Sequence, residues 1–303
     1  GSEMCIRDRA KGIRLGIVAN SWEVLEKRMK LASSSIQDPT KWGFLGKQFI
    51  FISDSPPNQD QLLAHMYPGQ GSQYVGMTHD LSKRFRIIGE TWKEADIVMN
   101  DIIGEPLSEF VLRSNLTENE NADAEEKLKQ TEYTQPAMLT ADLAIERLLN
   151  QHGIHPDMVA GHSLGEYAAL VAAEVVSFEV AVSLVQKRGQ LMQSAVPIGK
   201  GGMAAILGLE DENVVEICRT CAGADILEAA NFNSPGQVVI AGHTEAINRA
   251  LEACNAAGAK RAIVLPVSAP FHCELMNEAT EIMKNEINNL KFNNSNKFIV
   301  SNV

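Results

Sequence analysis

The 303-residue sequence has no long apolar run: nowhere do the roughly 18 to 20 successive apolar residues of a membrane span occur. A secretory signal is missing too, because "GSEMCIRDRAKG" holds no apolar stretch, and residues 1–9 are expected to be a tag or cloning remnant. Positive charge is scarce. The 27 Lys and Arg against 38 Asp and Glu leave −11, which excludes a general nucleic-acid-binding surface and leaves any anionic substrate to a local cation. Cysteine is sparse and odd in number (Cys5, Cys218, Cys221, Cys254 and Cys273), which fits a reducing, cytoplasmic setting and not a disulfide framework. Cys218-Arg-Thr-Cys221 has C-x-x-C spacing. It lies in the helical pattern "DENVVEICRTCAG" with no second pair or histidine cluster nearby, and is read as buried packing in preference to a metal or redox pair.

What is present is a 45% hydrophobic composition, enough for a sizeable core, arranged in an alternation of short strands and helices. Residues 10–60 read as a small α+β unit. It starts with a strand at Leu15–Val18, continues with a helix capped by Asn20 or Ser21, and adds a second strand in "GKQFIFIS". The Pro-Pro break near 54–60 is the expected boundary. From Leu62 the pattern becomes α/β, with a strand running into the glycine-rich "YPGQGSQYVGM" and helical segments around Thr91 to Ile103. The charged stretch 113–130 is expected as a solvated loop or helix surface, and "TQPAMLTADLAIERLLNQHG" as an amphipathic helix. Residues 198–266 then follow a β-α-β-β-α-β order, the signature of a ferredoxin-like subdomain, here inserted between a first part (61–197) and a return (267–303) of the larger one.

The chemistry gathers at "VAGHSLGEYAALVAA". A serine between two glycines, just where a strand gives way to a helix, is a nucleophile elbow. The glycines relieve a tight turn, Ser163 is pushed out at the carboxyl end of the sheet, and the next backbone N–H, that of Leu164, faces a developing oxyanion. A serine needs a base. His162 adjoins Ser163 but should point away. His65, His79, His152, His155 and His243 read as surface or structural, whereas His272 follows a strand and a Ser-Ala-Pro turn, where loops of an α/β sheet converge. No Asp or Glu between Ser163 and His272 offers itself as a third triad member, which weighs against an ordinary esterase. Arg188, near Met192 on a largely apolar helix, is either a surface ion pair or a guanidinium aimed into the pocket at a substrate carboxylate. The glycine-rich loop with Gln70 fits an oxyanion hole or a phosphate loop, though it lacks the G-K-[ST] ending of the latter.

Together and in order, "YPGQGSQYVGM", "TQPAM", "GHSLGEYAAL", "QKRGQLMQ", "MAAILGL", "NFNSPGQVVIAG" and "LPVSAPFHCELM" resemble the malonyl-CoA:acyl carrier protein transacylase family. That family spans free-standing fatty-acid enzymes and the acyltransferase domains of polyketide and polyunsaturated fatty-acid synthases. The resemblance covers roughly Leu62 to Val303. It implies an α/β-hydrolase-like parallel-sheet core with the inserted ferredoxin-like subdomain, and transfer of a malonyl group from malonyl-CoA to the phosphopantetheine thiol of an acyl carrier protein through a malonyl-serine. It implies Ser163 as the acylated residue and His272 as the base, oriented by a backbone carbonyl. Gln70 and the Leu164 N–H form the oxyanion hole, Arg188 takes the malonyl carboxylate, and Met192, Asn233 and Phe271 contact substrate, Phe271 in the malonyl-selecting manner. The expected partners are malonyl-CoA and the carrier protein, with no metal, nucleic acid, membrane or cofactor beyond the CoA thioester itself. "IRLGIVANSWEVLEKRMK" resembles the linker that follows a ketosynthase in large synthases, which implies a ketosynthase neighbour in a longer chain. The family continues past "FIVSNV" into the segment carrying the histidine-orienting carbonyl, so the return of the large subdomain is expected to be C-terminally truncated. The competing readings are a serine esterase or thioesterase, and a catalytically inactive docking fragment of a synthase.

Overall fold

The longest amphipathic pattern in the sequence becomes the longest helix, Thr131–Gln151, and it buries not only its apolar stripe but also Thr131, Thr134 and Gln135 at its start. Such polar burial is tolerated only where each group finds a partner: Thr134 bonds the Leu128 and Gln130 carbonyls just before it, while the partners of Thr131 and Gln135 lie in the candidate site. The computed structural model describes residues 13–54, 62–114, 116–197, 199–265, 267, 269–295 and 297–302. The expected tag at 1–9, Cys5 and the Pro-Pro break lie outside these residues. The chain divides into two compact units, Gly1–Leu62 and Leu63–Val303.

In the first unit β1 (Arg14–Ile17) pairs antiparallel with β2 (Ile50–Ser53), in the register Ile17 to Ile50. Between them run α1 (Trp22–Ser35) and α2 (Trp42–Gly46). Of the two expected caps Ser21 does the work: its backbone is extended and its Oγ accepts the Val24 N–H at 3.2 Å. Ala32, Leu45 and Ile50 form the small core.

The second unit is built on a parallel sheet of β3 (Ala64–Tyr67), β4 (Met158–Gly161) and β9 (Phe298–Val300), in the order β3-β4-β9. Between β3 and β4 come α3 (His79–Arg84), α4 (Arg86–Ile103), α5 (Ser108–Val111), α6 (Glu118–Lys129) and α7, the helix Thr131–Gln151. α6 gives the charged stretch its definite form. Thr117 and Glu120 make a reciprocal capping box, and only Ala124 and Leu128 on its inner side are buried. After β4 follow α8 (Gly165–Ala172) and α9 (Phe178–Ser194), and α4, α7 and α9 pack with β4 around Trp92, Met99, Leu139 and Val159.

Residues 201–264 then form β5 (Gly201–Leu207), α10 (Asp211–Ala222), β6 (Leu227–Ser234), β7 (Gln237–His243), α11 (Thr244–Ala256) and β8 (Arg261–Val264). Their sheet is fully antiparallel in the order β6-β7-β5-β8, so that each helix crosses over one intervening strand, as the sequence pattern implied. Cys218 and Cys254 are buried in its core, and burial pushes their thiols up to about 12 and about 11, which makes them inert packing groups. The return passes through α12 (Asn277–Asn288) into β9. Among the described residues no helix is long and apolar enough to cross a membrane.

Candidate active site

The elbow is made by the five residues Gly161–Gly165, where backbones cross closely. β4 ends at Gly161 and α8 begins at Gly165, and Ser163 between them takes φ 51°, a left-handed conformation that a non-glycine residue holds only when its surroundings insist. A Cβ on Gly161 would overlap the Gly165 carbonyl group, and one on Gly165 would overlap the carbonyl oxygen of Tyr67 at the end of β3. Gly165→Ala is therefore expected to lower stability by about 2 kcal/mol or more, read as an earlier denaturant midpoint. A midpoint equal to that of the parent would show that the crossing has slack.

The strained turn is held from the far end of the chain. Asn302, just past β9, accepts the Ser163 N–H on Oδ1 at 2.8 Å and donates from Nδ2 to the Gly161 carbonyl at 2.6 Å. The neighbouring Ser301 hydroxyl donates to Glu166 at 3.0 Å. No sequence feature singled out Asn302. The available signal was only that an asparagine follows a short apolar strand, and it acquires meaning once β9 is known to lie beside β4. The Leu164 N–H opens α8 with no hydrogen-bond partner among the described residues, while its side chain is 1% exposed in the core.

Ser163 and His272, 109 positions apart, meet: Oγ lies 2.8 Å from Nε2. Arg188 on α9 donates from Nη2 to the same oxygen at 3.2 Å. A guanidinium only donates, so the hydroxyl accepts from Arg188 and its single proton points to Nε2 of His272. The imidazole thereby carries its hydrogen on Nδ1, which has no carboxylate or carbonyl bonded to it among the described residues. Solvent touches His272 at the cleft mouth, yet the protein atoms crowded round the ring strip much of its hydration. That desolvation, with the Arg188 charge and then His162, pushes its pKa down to about 4. His272 also sits at φ 59°. The strand before His272, β8, belongs to the antiparallel four-stranded sheet, as the β-α-β-β-α-β order of 198–266 implied, and Pro266 and Ser268 of the approach lie outside the described residues. The histidine reaches the elbow because the antiparallel sheet delivers the chain there.

Arg188 is not a surface residue. Its Nη1 donates to Gln135 Oε1 of α7 at 2.8 Å, and its guanidinium lies 5.7 Å from the centre of the Tyr167 ring. Burial holds its pKa below the ordinary value, with Tyr167 and Glu166 opposing, and it stays a cation. α7 and α9 approach closely because Gly189 faces the Thr131 backbone, where any side chain would collide. Arg188, Met192 and His272 line a cleft of about 820 Å³ whose other wall is α12. Phe271 is 6% exposed and packs in one apolar cluster with Met192 and Met276. Asn233, on β6, does not bond to Ser163. Its Oδ1 pairs with His162 Nε2 at 3.1 Å, so the His162 ring points away from Ser163 as its position implied. Gln70 does not bond to Ser163 either, since its Nε2 reaches Thr131 Oγ1 at 3.4 Å, and Thr131 in turn donates to Gln193 at 3.2 Å. His65 proves structural, with Nδ1 2.5 Å from Glu146 of α7.

The arrangement offers a hydroxyl with a neutral base on one side and a fixed cation on the other, plus one free amide at a helix start. Such an arrangement has the chemistry needed for acyl transfer through a covalent serine, and its fixed cation can receive an anionic acyl group. The sequence profile described as "Acyl transferase domain" matches residues 64–301. The malonyl CoA-acyl carrier protein transacylase of Escherichia coli O157:H7 is 48% identical over 241 residues, 79% of this chain and 74% of the relative. Among solved structures, an acyl carrier protein S-malonyltransferase from Vibrio cholerae O1 biovar eltor matches with a TM-score of 0.72 at 45% identity, covering 80% of this chain and 76% of that one. A type II PKS acyl-carrier protein in complex with its malonyl-transacylase matches with a TM-score of 0.73 at 44% identity, covering 80% and 75%.

Proposed function

The chain belongs to the acyl transferase domain family, and on that premise we propose that it moves a malonyl group from malonyl-CoA to the phosphopantetheine thiol of an acyl carrier protein. The relatives named above carry that activity in their names, and one of them is bound to its carrier protein. The observation that carries the reading to this chain is the triple meeting at Ser163 Oγ: a neutral imidazole at 2.8 Å and a guanidinium at 3.2 Å.

In the first half-reaction the malonyl carboxylate pairs with Arg188. Ser163 Oγ attacks the thioester carbonyl while its proton passes to His272 Nε2, and a carbon–oxygen bond forms as negative charge collects on the carbonyl oxygen. The Leu164 N–H, at the positive end of α8, holds that oxygen, with Gln70 as its partner once the amide turns from Thr131. Collapse breaks the carbon–sulfur bond, and the imidazolium returns its proton to the leaving thiolate. In the second half the carrier thiol gives its proton to His272 and attacks the malonyl-serine, and the Ser163 oxygen leaves with that proton. Met192, Phe271 and Asn233 shape the pocket around the acyl group. The chemistry asks for no cofactor beyond the thioester. A reducing compartment, the cytoplasm, suits the four cysteines among the described residues, all of which are free.

The direct test is intact-mass analysis after mixing with malonyl-CoA, followed by addition of a holo carrier protein. The expected result is a malonyl adduct on the chain that moves to the carrier. Rapid release of free malonate with no transfer would make the protein a hydrolase, and absence of any adduct would remove the covalent route.

The pH dependence follows from His272. An unperturbed histidine is half protonated near pH 6.5. With its pKa pushed down to about 4, the ring stays an acceptor well below neutrality, and base strength is lost only as pH falls through that value. The rate of acyl-enzyme formation, measured in single turnovers, is expected to be flat from about pH 6 to 8. A loss of half the rate near pH 6.5 would contradict it.

A further inference from the structure

Arg188 carries a full charge into a half-buried site, and no carboxylate lies within ion-pair range of it among the described residues. Its two polar contacts are neutral: the Ser163 hydroxyl and the side-chain oxygen of Gln135. The nearest acid in the electrostatic sense, Glu166, gives one oxygen to the Ser301 hydroxyl. A desolvated cation beside neutral dipoles is under-compensated, because burying a charge without its counter-ion costs more than a neutral hydrogen bond returns.

Gln135 is 0% exposed, and its orientation is fixed without ambiguity. Arg188 can only donate, so the amide oxygen faces it at 2.8 Å, and the amide nitrogen is left to Met192 Sδ at 3.5 Å. Glutamate has nearly the same shape and would give the guanidinium an ionic partner. The same helix does bury an acid one stretch further on, Glu146, against His65 and Tyr67. An amide at 135 therefore has a particular consequence: it aims the guanidinium while leaving the counter-ion's place open.

We propose that Gln135 is a specificity-determining positioning residue, a neutral anchor that orients Arg188 without neutralising it and so reserves its charge for the free carboxylate of a dicarboxylic acyl group. This rests on the transacylase reading and deepens it. A carboxylate at 135 would occupy the guanidinium from inside and compete with the substrate at every turnover. Acyl groups without a carboxylate, such as acetyl, do not need the reserved charge and would suffer less. The change would also reach the base. His272 feels Arg188 and His162, and Arg188 in turn feels Tyr167 and Glu166 of α8. A new negative charge on α7 would offset the Arg188 field at His272 and make the imidazole easier to protonate.

The test compares the 303-residue chain with its Gln135→Glu and Gln135→Met variants in loading from malonyl-CoA and from acetyl-CoA, each across pH. Gln135→Glu is expected to lower the malonyl-to-acetyl loading ratio by about 30-fold or more, the size of a lost charge pair, and to move the acid limb toward neutral pH. Gln135→Met keeps the open charge, so its ratio should stay within about 10-fold of the parent, with the acid limb unmoved. A Gln135→Glu ratio within about 3-fold of the parent, or equal losses in both variants with no shift of the limb, overturns the proposal. If Gln135→Glu does not fold, a collapse of the ratio in Gln135→Met alone overturns it. Failure of the parent chain to load malonyl at all would instead strike the transacylase reading, which keeps the two failures apart.

Discussion

Ser163→Ala is expected to abolish the malonyl adduct and to lower transfer to the carrier protein by about 10⁴-fold or more, with malonyl-CoA still binding. The alanine variant keeps Arg188, the free Leu164 amide and the cleft, so binding and part of the electrostatic stabilisation survive. It loses the atom to which both His272 and Arg188 are bonded. His272 by itself could activate water, which would appear as slow hydrolysis and not as transfer. Folding should be spared, because the Ser163 backbone, not its hydroxyl, carries the bond to Asn302. Intact mass after exposure to malonyl-CoA is the decisive measurement: an adduct of unchanged occupancy on the alanine variant would place the acyl group elsewhere and end the proposed mechanism.

Arg188→Ala is the second large effect, and it should divide substrates. Losing one partner of a desolvated charge pair costs about 2 to 5 kcal/mol, or roughly 30-fold to several thousand-fold, and that loss applies only to an acyl group with a carboxylate. Acetyl transfer loses the smaller contribution, the hydrogen bond that Arg188 gives Ser163 Oγ. The ratio of malonyl to acetyl loading is the quantity to follow, and equal losses for both would remove the carboxylate role. Arg188→Lys is expected to recover only part of the ratio. An ammonium keeps the charge but cannot bond Gln135, Ser163 and a carboxylate with one planar fork.

These expectations draw on features that differ in how openly the sequence displayed them. The elbow was plain because it is local: two glycines, a serine and the change from strand to helix lie within eight residues of one another. The antiparallel subdomain was equally plain, since its six elements follow one another without interruption in the β-α-β-β-α-β order. The charged stretch before α7 left loop and helix surface both open. Its capping box, Thr117 with Glu120, supplied the start signal that settles it, and the thin buried side of α6 explains why periodicity did not. Asn302 was silent, and Gln135 stood in the motif "TQPAM" with no role attached. Each is a single amide whose meaning depends on what stands opposite, Arg188 on α9 for one and Ser163 beside a distant strand for the other.

By itself, then, the amino-acid order determined which short segments become strands and helices, where the backbone must turn through a glycine, and which side chains have the right chemistry. Those properties depend on a few neighbouring dihedral angles and on the period of apolar residues. Only the tertiary structure decided that β9 lies beside β4, that β8 delivers His272 to the elbow, and that Arg188 turns inward to a neutral partner. Hydrogen bonds act over about 3 Å, and the groups they join here stand up to 141 positions apart. No local pattern can encode such a meeting, because it is settled by how whole layers pack.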